Sequence, residues 1–435
     1  MKMTSELVTT WPRFWDLRPN AIDPQALRTW LHTVAQRDRH MQIVLANVRA
    51  VKGVHAARRM VRRYLLCASA KLAAVSRAWQ SVHGSIKEIA DPALLKLVEF
   101  AEDLFAWKPA PGQALARPKL KRDSENYRLI HELALSQKAQ DKMAASAARA
   151  VADLLPTQFN QSGKGTVKFD AWLTERMPKI QTVVTVDIPS CFDVIRRGSV
   201  EVSLLLPKRV VEAAMLKPMD RAKRLPGVLT GIGTTNTHDV GTSAAKRGVP
   251  QGSALAQLAS DIEIDKVLRA VGAAHGSVHV AAFSDNLIFL LEDAGWLGSV
   301  QAALTEATTK QFGSDVTTAL VNRIRCDKPN HFQFCRRTYS WKKGKLHKGV
   351  PPGYLDDYAI KTAIRMQDAY AAKDLNGLER CEASVVSFFH SHLAIDGVFE
   401  ECASLFVEVH ERRKTLMKLT VKTGSGSSDI TLHDP

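Results

Sequence analysis

The sequence predicts an α+β fold in which helical segments at both ends flank a central region that contains β-strands. Apolar residues recur at helical spacing from Asp23 to Trp79, and again from Tyr354 to Leu419. Between these segments, the apolar run VTV ends at Asp187, and the runs VHVAAF and LIFLL enclose a short polar turn. Short runs rich in Val, Ile and Phe are typical of buried strands.

The charge balance is the unusual feature of the composition. The chain of 435 residues carries 60 Lys and Arg against 44 Asp and Glu, a formal net charge of +16. Such an excess suits a polyanionic partner such as nucleic acid, because each phosphate contact releases counterions. A well-solvated basic surface is the alternative. The length allows two or three domains.

The cysteines and the apolar runs indicate the compartment. None of the six cysteines forms a CxxC pair or a Cys/His cluster with zinc spacing, which predicts reduced thiols. The N-terminal sequence lacks the layout of a signal peptide, and no apolar run approaches the length that spans a membrane. The sequence therefore predicts a soluble cytoplasmic protein with no membrane partner.

The N-terminal helical region carries a basic face. Gly53 interrupts the helical pattern, and the helix that follows places arginines at i and i+4 spacing with no acidic residue among them. A charged helix face is usually only solvated, but four arginines without an acid favour a phosphate-facing surface. These residues are Arg58, Arg59, Arg62 and Arg63.

Three separated stretches carry residues suited to chemistry. VDIPSCFD places Asp187 at the end of a strand, RGVPQGS forms a Pro-Gln-Gly turn before a helix of small residues, and FSDN lifts Asp285 and Asn286 on a turn between strands. Strand-end carboxylates can converge on metal ions, and two metals stabilise the attacking and leaving oxygens of a phosphoryl transfer. For Asp187 alone, a turn or helix cap is the competing interpretation.

In their order and spacing, these three motifs resemble the palm of a reverse transcriptase of the group II intron-type (bacterial) lineage. The resemblance implies an α+β right-hand polymerase with fingers, palm and thumb. It divides the chain into a helical N-terminal extension (1–110), fingers and palm (111–349), a helical thumb (350–420) and a disordered tail (421–435).

The resemblance implies an RNA-directed DNA polymerase, a nucleotidyltransferase that uses two Mg²⁺ ions. Asp187 and Asp285 would be the catalytic acids and would bind both metals, with the backbone carbonyl of Ile188 as a further ligand. The family has a second Asp where this sequence has Asn286, which would serve as a neutral oxygen ligand. The lost charge would weaken metal affinity and shift the preference towards Mn²⁺.

The resemblance also assigns nucleotide-binding residues. Lys121 and Arg128 would lie on the fingers hairpin and grip the incoming triphosphate. Phe192 would exclude the 2′-hydroxyl of a ribonucleotide, although from spacing alone an ordinary core Phe is the simpler interpretation. Gln251 and Gly252 would line the nucleotide pocket, where glycine permits close approach of the backbone.

The segment HFQFCRRTYSWKKGKLHKG predicts an alternating hairpin crowded with cations. It resembles the segment that grips the primer end in the family. Cations interleaved with aromatic rings suit contacts to phosphates and stacking on bases. The predicted nucleic-acid-binding residues here are Arg336, Arg337, Tyr339, Trp341, Lys342 and Lys343.

The expected partners are an RNA template, a primer strand and dNTPs or NTPs, and the sequence leaves open whether a dedicated non-coding RNA accompanies them. Some viral RNA polymerases carry an Asp-Asn pair at the turn of Asn286, so an RNA-directed RNA polymerase is one alternative. A catalytically retired palm that binds RNA is another. No endonuclease motif follows the thumb segment, which favours a reverse transcriptase of antiviral defence over a mobile-intron protein, with a viral replicase as the alternative.

Overall fold

The computed structural model describes residues 24–83, 101–108, 110, 112–120, 127–161, 163–224, 248–392, 395 and 397–424. Over these residues the protein is a mixed α+β structure, mostly helical, with small antiparallel sheets. Lys121, the side chain of Arg128, and the predicted tail beyond Gly424 lie outside the described residues and side chains.

The helices fall largely where the apolar spacing predicts them. In chain order they are α1 (Pro24–Tyr64), α2 (Ala68–His83), α3 (Ala101–Leu104), α4 (Leu135–Val151), α5 (Gly165–Arg176), α6 (Cys191–Val194), α7 (Arg197–Ser203), α8 (Lys208–Val211), α9 (Lys217–Asp220), α10 (Ala254–Ala274), α11 (Leu297–Phe312), α12 (Ser314–Leu320), α13 (Tyr354–Ala371), α14 (Leu375–His392) and α15 (Val398–Gly424). A π-helical turn, Glu212–Leu216, joins α8 to α9.

The strands form three small sheets. In chain order they are β1 (Leu115–Leu120), β2 (Tyr127–Glu132), β3 (Thr182–Asp187), β4 (Lys223–Arg224), β5 (Val278–Phe283), β6 (Asn286–Leu291), β7 (Ile324–Asp327), β8 (Phe332–Phe334), β9 (Arg337–Lys342) and β10 (Lys345–Gly349). The sheet orders are β2-β1-β4, β10-β9-β8 and β5-β6-β3-β7. The cationic segment is therefore a three-stranded meander, one strand more than the predicted hairpin.

Two compact units divide the chain, and each is assembled from separate stretches. The first unit contains Met1–Gln158, Asp187–Gly276 and Ser299–Arg323. The second contains Phe159–Val186, Ser277–Gly298 and Ile324–Pro435.

In the first unit, a buried carboxylate joins the N-terminal helices. Asp38 is 1% exposed, and it accepts hydrogen bonds from the hydroxyl of Tyr64 and the guanidinium of Arg77. Burial is the main cause that raises the pKa of Tyr64, and the nearby Asp38 adds to it. Gly53 has φ 75° and ψ −171°, which kinks α1 where the sequence predicts a break. Only glycine adopts such a conformation readily.

In the second unit, one apolar cluster lies under the sheets and another within the C-terminal helices. The first cluster is aromatic, and the rings of Phe169 and Phe334 stack with centroids 5.0 Å apart. The second fills the space among α13, α14 and α15, with Met366, Leu378 and Val409 fully buried. The helical pattern predicted from Tyr354 onwards is confirmed, and α15 continues to Gly424, a few residues into the predicted tail.

Across the part of the chain that the structure describes, no helix has the length and apolar character needed to cross a membrane.

Candidate functional site

The loop Gly248–Ser253, called here the PQG loop, is fastened to the turn that carries Phe192. The amide N–H of Val249 donates to the carbonyl of Phe192 (2.9 Å), and the N–H of Gly248 donates to the carbonyl of Ile195 (2.8 Å). Phe192 lies in the short helix α6 and is partly buried. Two stretches that the sequence linked only through resemblance are thus joined by backbone hydrogen bonds within the first unit.

The other side of the PQG loop is fastened to strand β2. The N–H of His131 donates to the carbonyl of Gln251 (2.7 Å), and Ile130 and Gln251 form a parallel bridge. Gly252 has φ +110°, and a Cβ there would lie 2.4 Å from the carbonyl oxygen of His131. Glycine is therefore required by both backbone conformation and space. The backbone of Arg128 belongs to the same strand.

A buried carboxylate that the sequence did not reveal holds the helix after this loop. Asp141 accepts hydrogen bonds from the Ser253 hydroxyl and from the amides of Ala254 (2.8 Å) and Leu255 (3.0 Å) at the start of α10. Ser253 caps the helix by accepting from the amide of Ala256 (3.0 Å). Burial raises the pKa of Asp141, and the three hydrogen bonds oppose that shift. The small residues after the turn predicted the helix, but nothing local pointed to Asp141.

Asp187 is the last residue of β3 and keeps part of its side chain in solvent. The side chain is 41% exposed, and Nη1 of Arg323 lies 2.7 Å from its Oδ2. Arg323 is itself 50% exposed. The next residue, Ile188, is buried, and Ser190 adopts φ 49° in the turn that leads to α6. The strand end and the non-helical turn confirm the predicted local structure.

Asp285 and Asn286 lie where β5 turns into β6. Phe283 pairs with Asn286 across the turn, Ser284 adopts φ 58°, and Nδ2 of Asn286 lies 3.3 Å from Oδ1 of Asp285. Both side chains are partly exposed. The hairpin and its polar turn are as predicted.

Sheet topology relates this turn to the end of β3. Strands β6 and β3 are neighbours in the four-stranded sheet. The amide of Gln181, just before β3, donates to the carbonyl of Leu291 at the end of β6 (2.9 Å), so the two strands run antiparallel. The carboxyl end of β3 and the β5–β6 turn therefore lie at the same edge of this sheet.

The donor set suits a hard divalent cation. Carboxylate, carbonyl and amide oxygens are the ligands that Mg²⁺ and Mn²⁺ prefer. Asp187 and Asp285 supply carboxylates, and Asn286 and the backbone of Ile188 supply neutral oxygens. Within the described ranges, no group of three or more His, Cys, Asp or Glu residues could hold a metal ion. By donor chemistry, each of these residues is therefore suited to be a ligand of a divalent cation.

The meander β8–β10 presents some of its predicted cations to solvent. Arg336, Lys342 and Lys343 are exposed, and Trp341 is partly buried against the aromatic cluster. Lys342 lies directly opposite Lys345 in the β9–β10 register, an arrangement of like charges that costs stability unless an anion is near.

Two of the predicted nucleic-acid contacts are contradicted by burial. Arg337 is 3% exposed, and its guanidinium donates to Asp170 and to the carbonyl of Ser391. Tyr339 is 1% exposed, donates to Asp170 (3.1 Å) and stacks on Phe332. Both side chains point into the second unit, so neither is available to a phosphate or a base.

The predicted basic face of the first unit lies at the C-terminal end of α1, beyond the kink at Gly53. Its four arginines, Arg58, Arg59, Arg62 and Arg63, are exposed. Exposure makes them available to a polyanion, and phosphate binding there stays a prediction.

No known protein-family model matches the chain, and no curated protein shows significant sequence similarity to it.

Proposed function

We propose that this chain is an RNA-templated nucleotidyltransferase that makes DNA, a reverse transcriptase of the group II intron type with a right-hand polymerase fold. The observation that carries the proposal is the common sheet edge: β3 ends at Asp187, and the β5–β6 turn with Asp285 lies at the same end of the sheet. This placement supports the proposal, because acidic side chains at one end of a sheet could hold the metal ions of a two-metal phosphoryl transfer.

The PQG loop gives independent support, because it lies between two segments with proposed nucleotide roles. Its hydrogen bonds to Phe192 and to strand β2 fix the backbone of Gln251 and Gly252. A pocket wall must be rigid to discriminate between nucleotides, and backbone hydrogen bonds on both sides provide that rigidity. Phe192 would exclude the 2′-hydroxyl, and Gln251 would contact the nucleotide.

The reaction is in-line attack of a primer 3′-hydroxyl on the α-phosphate of an incoming nucleotide, which releases pyrophosphate. Asp187, Asp285, Asn286 and the carbonyl of Ile188 would hold Mg²⁺ or Mn²⁺, which when bound neutralises charge on the attacking and leaving oxygens. The chain itself orients the nucleotide through the PQG loop. Exposed cations at Arg336, Lys342 and Lys343, and the four arginines of α1, would bind the RNA template and primer through phosphates.

A second candidate, RNA-directed RNA synthesis, is favoured by Asn286. The amide faces Asp285 at 3.3 Å, where the resemblance implies a second acid. An Asp-Asn pair carries one negative charge less than an Asp-Asp pair. A palm that binds RNA without catalysis is the third candidate, and it is supported by the basic net charge and by the same missing acid.

Primer extension on an RNA template tests the proposal, with dNTPs and NTPs in parallel and with Mg²⁺ or Mn²⁺. We expect DNA product, reduced at least about 100-fold in Asp187→Asn and in Asp285→Asn. The matched control is Asp153→Asn, an acid of the first unit with 68% of its side chain exposed. Phe192→Ala should relax the discrimination against NTPs.

The outcomes separate the candidates. RNA product alone would move the protein to the RNA polymerase class. Full activity in either acid variant would overturn the catalytic assignment. RNA binding without product in any condition would favour the retired palm.

A further inference from the structure

The pairing of strands β3 and β7 brings Arg323 close to Asp187. Strand β7 pairs with β3 in antiparallel register, with Val184 opposite Cys326 and Val186 opposite Ile324. Asp187 is the last residue of β3, Arg323 is the residue immediately before β7, and their side chains meet at 2.7 Å. Because the pairing of β3 with β7 runs up to the residue before Asp187 and the residue after Arg323, the sheet brings the guanidinium near this carboxylate.

The ion pair between Arg323 and Asp187 is weak because it is exposed to solvent. Both side chains are about half exposed (50% for Arg323 and 41% for Asp187), so water screens their attraction. Arg323 belongs to a short 3-10 turn just before β7 and makes no other ion pair within the described residues. A structural salt bridge would be expected to be more buried and to have further hydrogen bonds.

We propose that Arg323 is a positioning residue that competes with a divalent cation for the Asp187 carboxylate. The guanidinium keeps the carboxylate oriented and electrically balanced when no cation is bound. A cation at Asp187 competes with the guanidinium for the negative charge and for Oδ2, which lowers the cation affinity of the site. This inference rests on the proposed role of Asp187 as a metal ligand.

Direct titration with Mn²⁺, followed by the loss of the free-ion electron paramagnetic resonance signal, tests the inference without any assay of catalysis. Arg323→Gln removes the competing charge, and we expect it to tighten Mn²⁺ binding about fivefold. Arg323→Lys keeps the charge at the same register position and should stay close to wild type. Asp187→Asn should lose the Asp187-dependent binding.

Arg325→Gln is the matched control. Arg325 is an exposed arginine two residues further along, on β7, opposite Thr185 instead of the carboxylate, and its loss changes the net charge equally. A change of less than about twofold in this variant would separate the specific pair from the general effect of charge. Circular dichroism of each variant confirms that it is folded.

The results distinguish failure of the inference from failure of the proposed function. If Asp187→Asn weakens Mn²⁺ binding but Arg323→Gln behaves like Arg325→Gln, the inference is overturned and the metal site stands. Weaker binding in Arg323→Gln would also overturn it, since Arg323 would then assist the cation. Unchanged Mn²⁺ binding in Asp187→Asn would overturn both the metal role of Asp187 and the inference.

Discussion

Two carboxylates of this protein pair with arginine in opposite ways. Asp170 in the second unit has 11% of its side chain exposed and accepts hydrogen bonds from Arg337 (3.2 Å), Tyr339 (3.1 Å) and Lys348 (3.0 Å). Asp187 in the first unit has 41% of its side chain exposed and pairs with Arg323 alone among the described cations. We call the first group, with Ser391, the Asp170 cluster.

The two carboxylates differ in how many of their oxygen lone pairs remain free to accept a further hydrogen bond or a ligand. A buried carboxylate needs several donors to offset its desolvation, and the Asp170 cluster provides three of them from the two neighbouring strands β9 and β10. The carboxylate of Asp187 is partly solvated by water, so its oxygens can exchange partners. The PQG loop contacts Phe192, which is partly exposed, and contains Gly252, where backbone conformation and space disfavour any other residue. A carboxylate whose oxygens are fully occupied by protein donors, such as Asp170, has a structural role. A carboxylate with solvent-accessible oxygens at a strand end, such as Asp187, is suited to bind a ligand.

The largest expected effect on stability is at Asp170. Asp170→Asn removes the negative charge between Arg337 and Lys348 and leaves Arg337 buried with an incomplete set of acceptors. We expect the free energy of unfolding to fall by about 3 kcal/mol. Urea denaturation followed by circular dichroism measures it.

Asp187→Asn is the comparison variant for that experiment. Its ion pair is half exposed, so its stability should change by less than about 1 kcal/mol while primer extension is lost. Equal destabilisation by the two substitutions would contradict the distinction between a saturated and an accessible carboxylate.

The second effect is at the PQG loop. Gly252→Ala places a Cβ 2.4 Å from the carbonyl oxygen of His131 in a backbone with φ +110°. We expect a loss of about 2 kcal/mol in the free energy of unfolding, because the loop must move away from β2. Primer extension should fall as well.

Gly198→Ala is its control, because an added Cβ in α7 meets nothing within 4 Å. That substitution should be neutral or stabilising by up to about 1 kcal/mol. A neutral Gly252→Ala would mean that the close approach of the loop to β2 is not needed.

Local sequence patterns predicted most of the helices and strands, and also the boundaries of the elements near the candidate site. The strand end at Asp187, the turn at Asp285, the kink at Gly53 and the helix after Ser253 all follow from short runs of sequence. Each depends on the backbone preferences of a few adjacent residues.

Partners far along the chain were beyond such patterns. Asp141 lies 112 residues from Ser253, and Arg323 lies 136 residues from Asp187, so only the folded sheet and helices bring them together. The burial of Arg337 and Tyr339 had a signal in the sequence, because they occupy alternate positions of the strand RTYSWK and alternate residues of a strand lie on one face. The acceptor that draws Arg337 inward, Asp170, is 167 residues away.

The smallest effect concerns His131, whose main chain supports Gln251. Burial lowers the pKa of His131 to about 4, although the charge of Asp220 acts in the opposite direction. Its Nδ1 is buried and has no hydrogen-bond partner in the described part of the structure. The imidazole ring of His131 is thus neutral in the folded protein over a pH range in which the unfolded chain binds a proton. Its buried nitrogen lacks a partner, whereas the buried carboxylate of Asp170 accepts three hydrogen bonds.

Because the folded pKa lies below the unfolded value of 6.5, the stability due to neutral His131 is complete above pH 6.5 and is lost as the pH falls from 6.5 to about 4. Wild type should therefore lose about 1 kcal/mol more than His131→Gln between pH 7 and pH 4.5, allowing for partial solvent screening. Urea denaturation of both proteins at pH 7, 5.5 and 4.5 measures the difference. Asp141, whose raised pKa acts in the opposite direction, is common to both proteins and cancels. If the free energy of unfolding changed with pH equally in wild type and in His131→Gln, His131 would be solvated in the folded state, and the PQG loop would border water at this point.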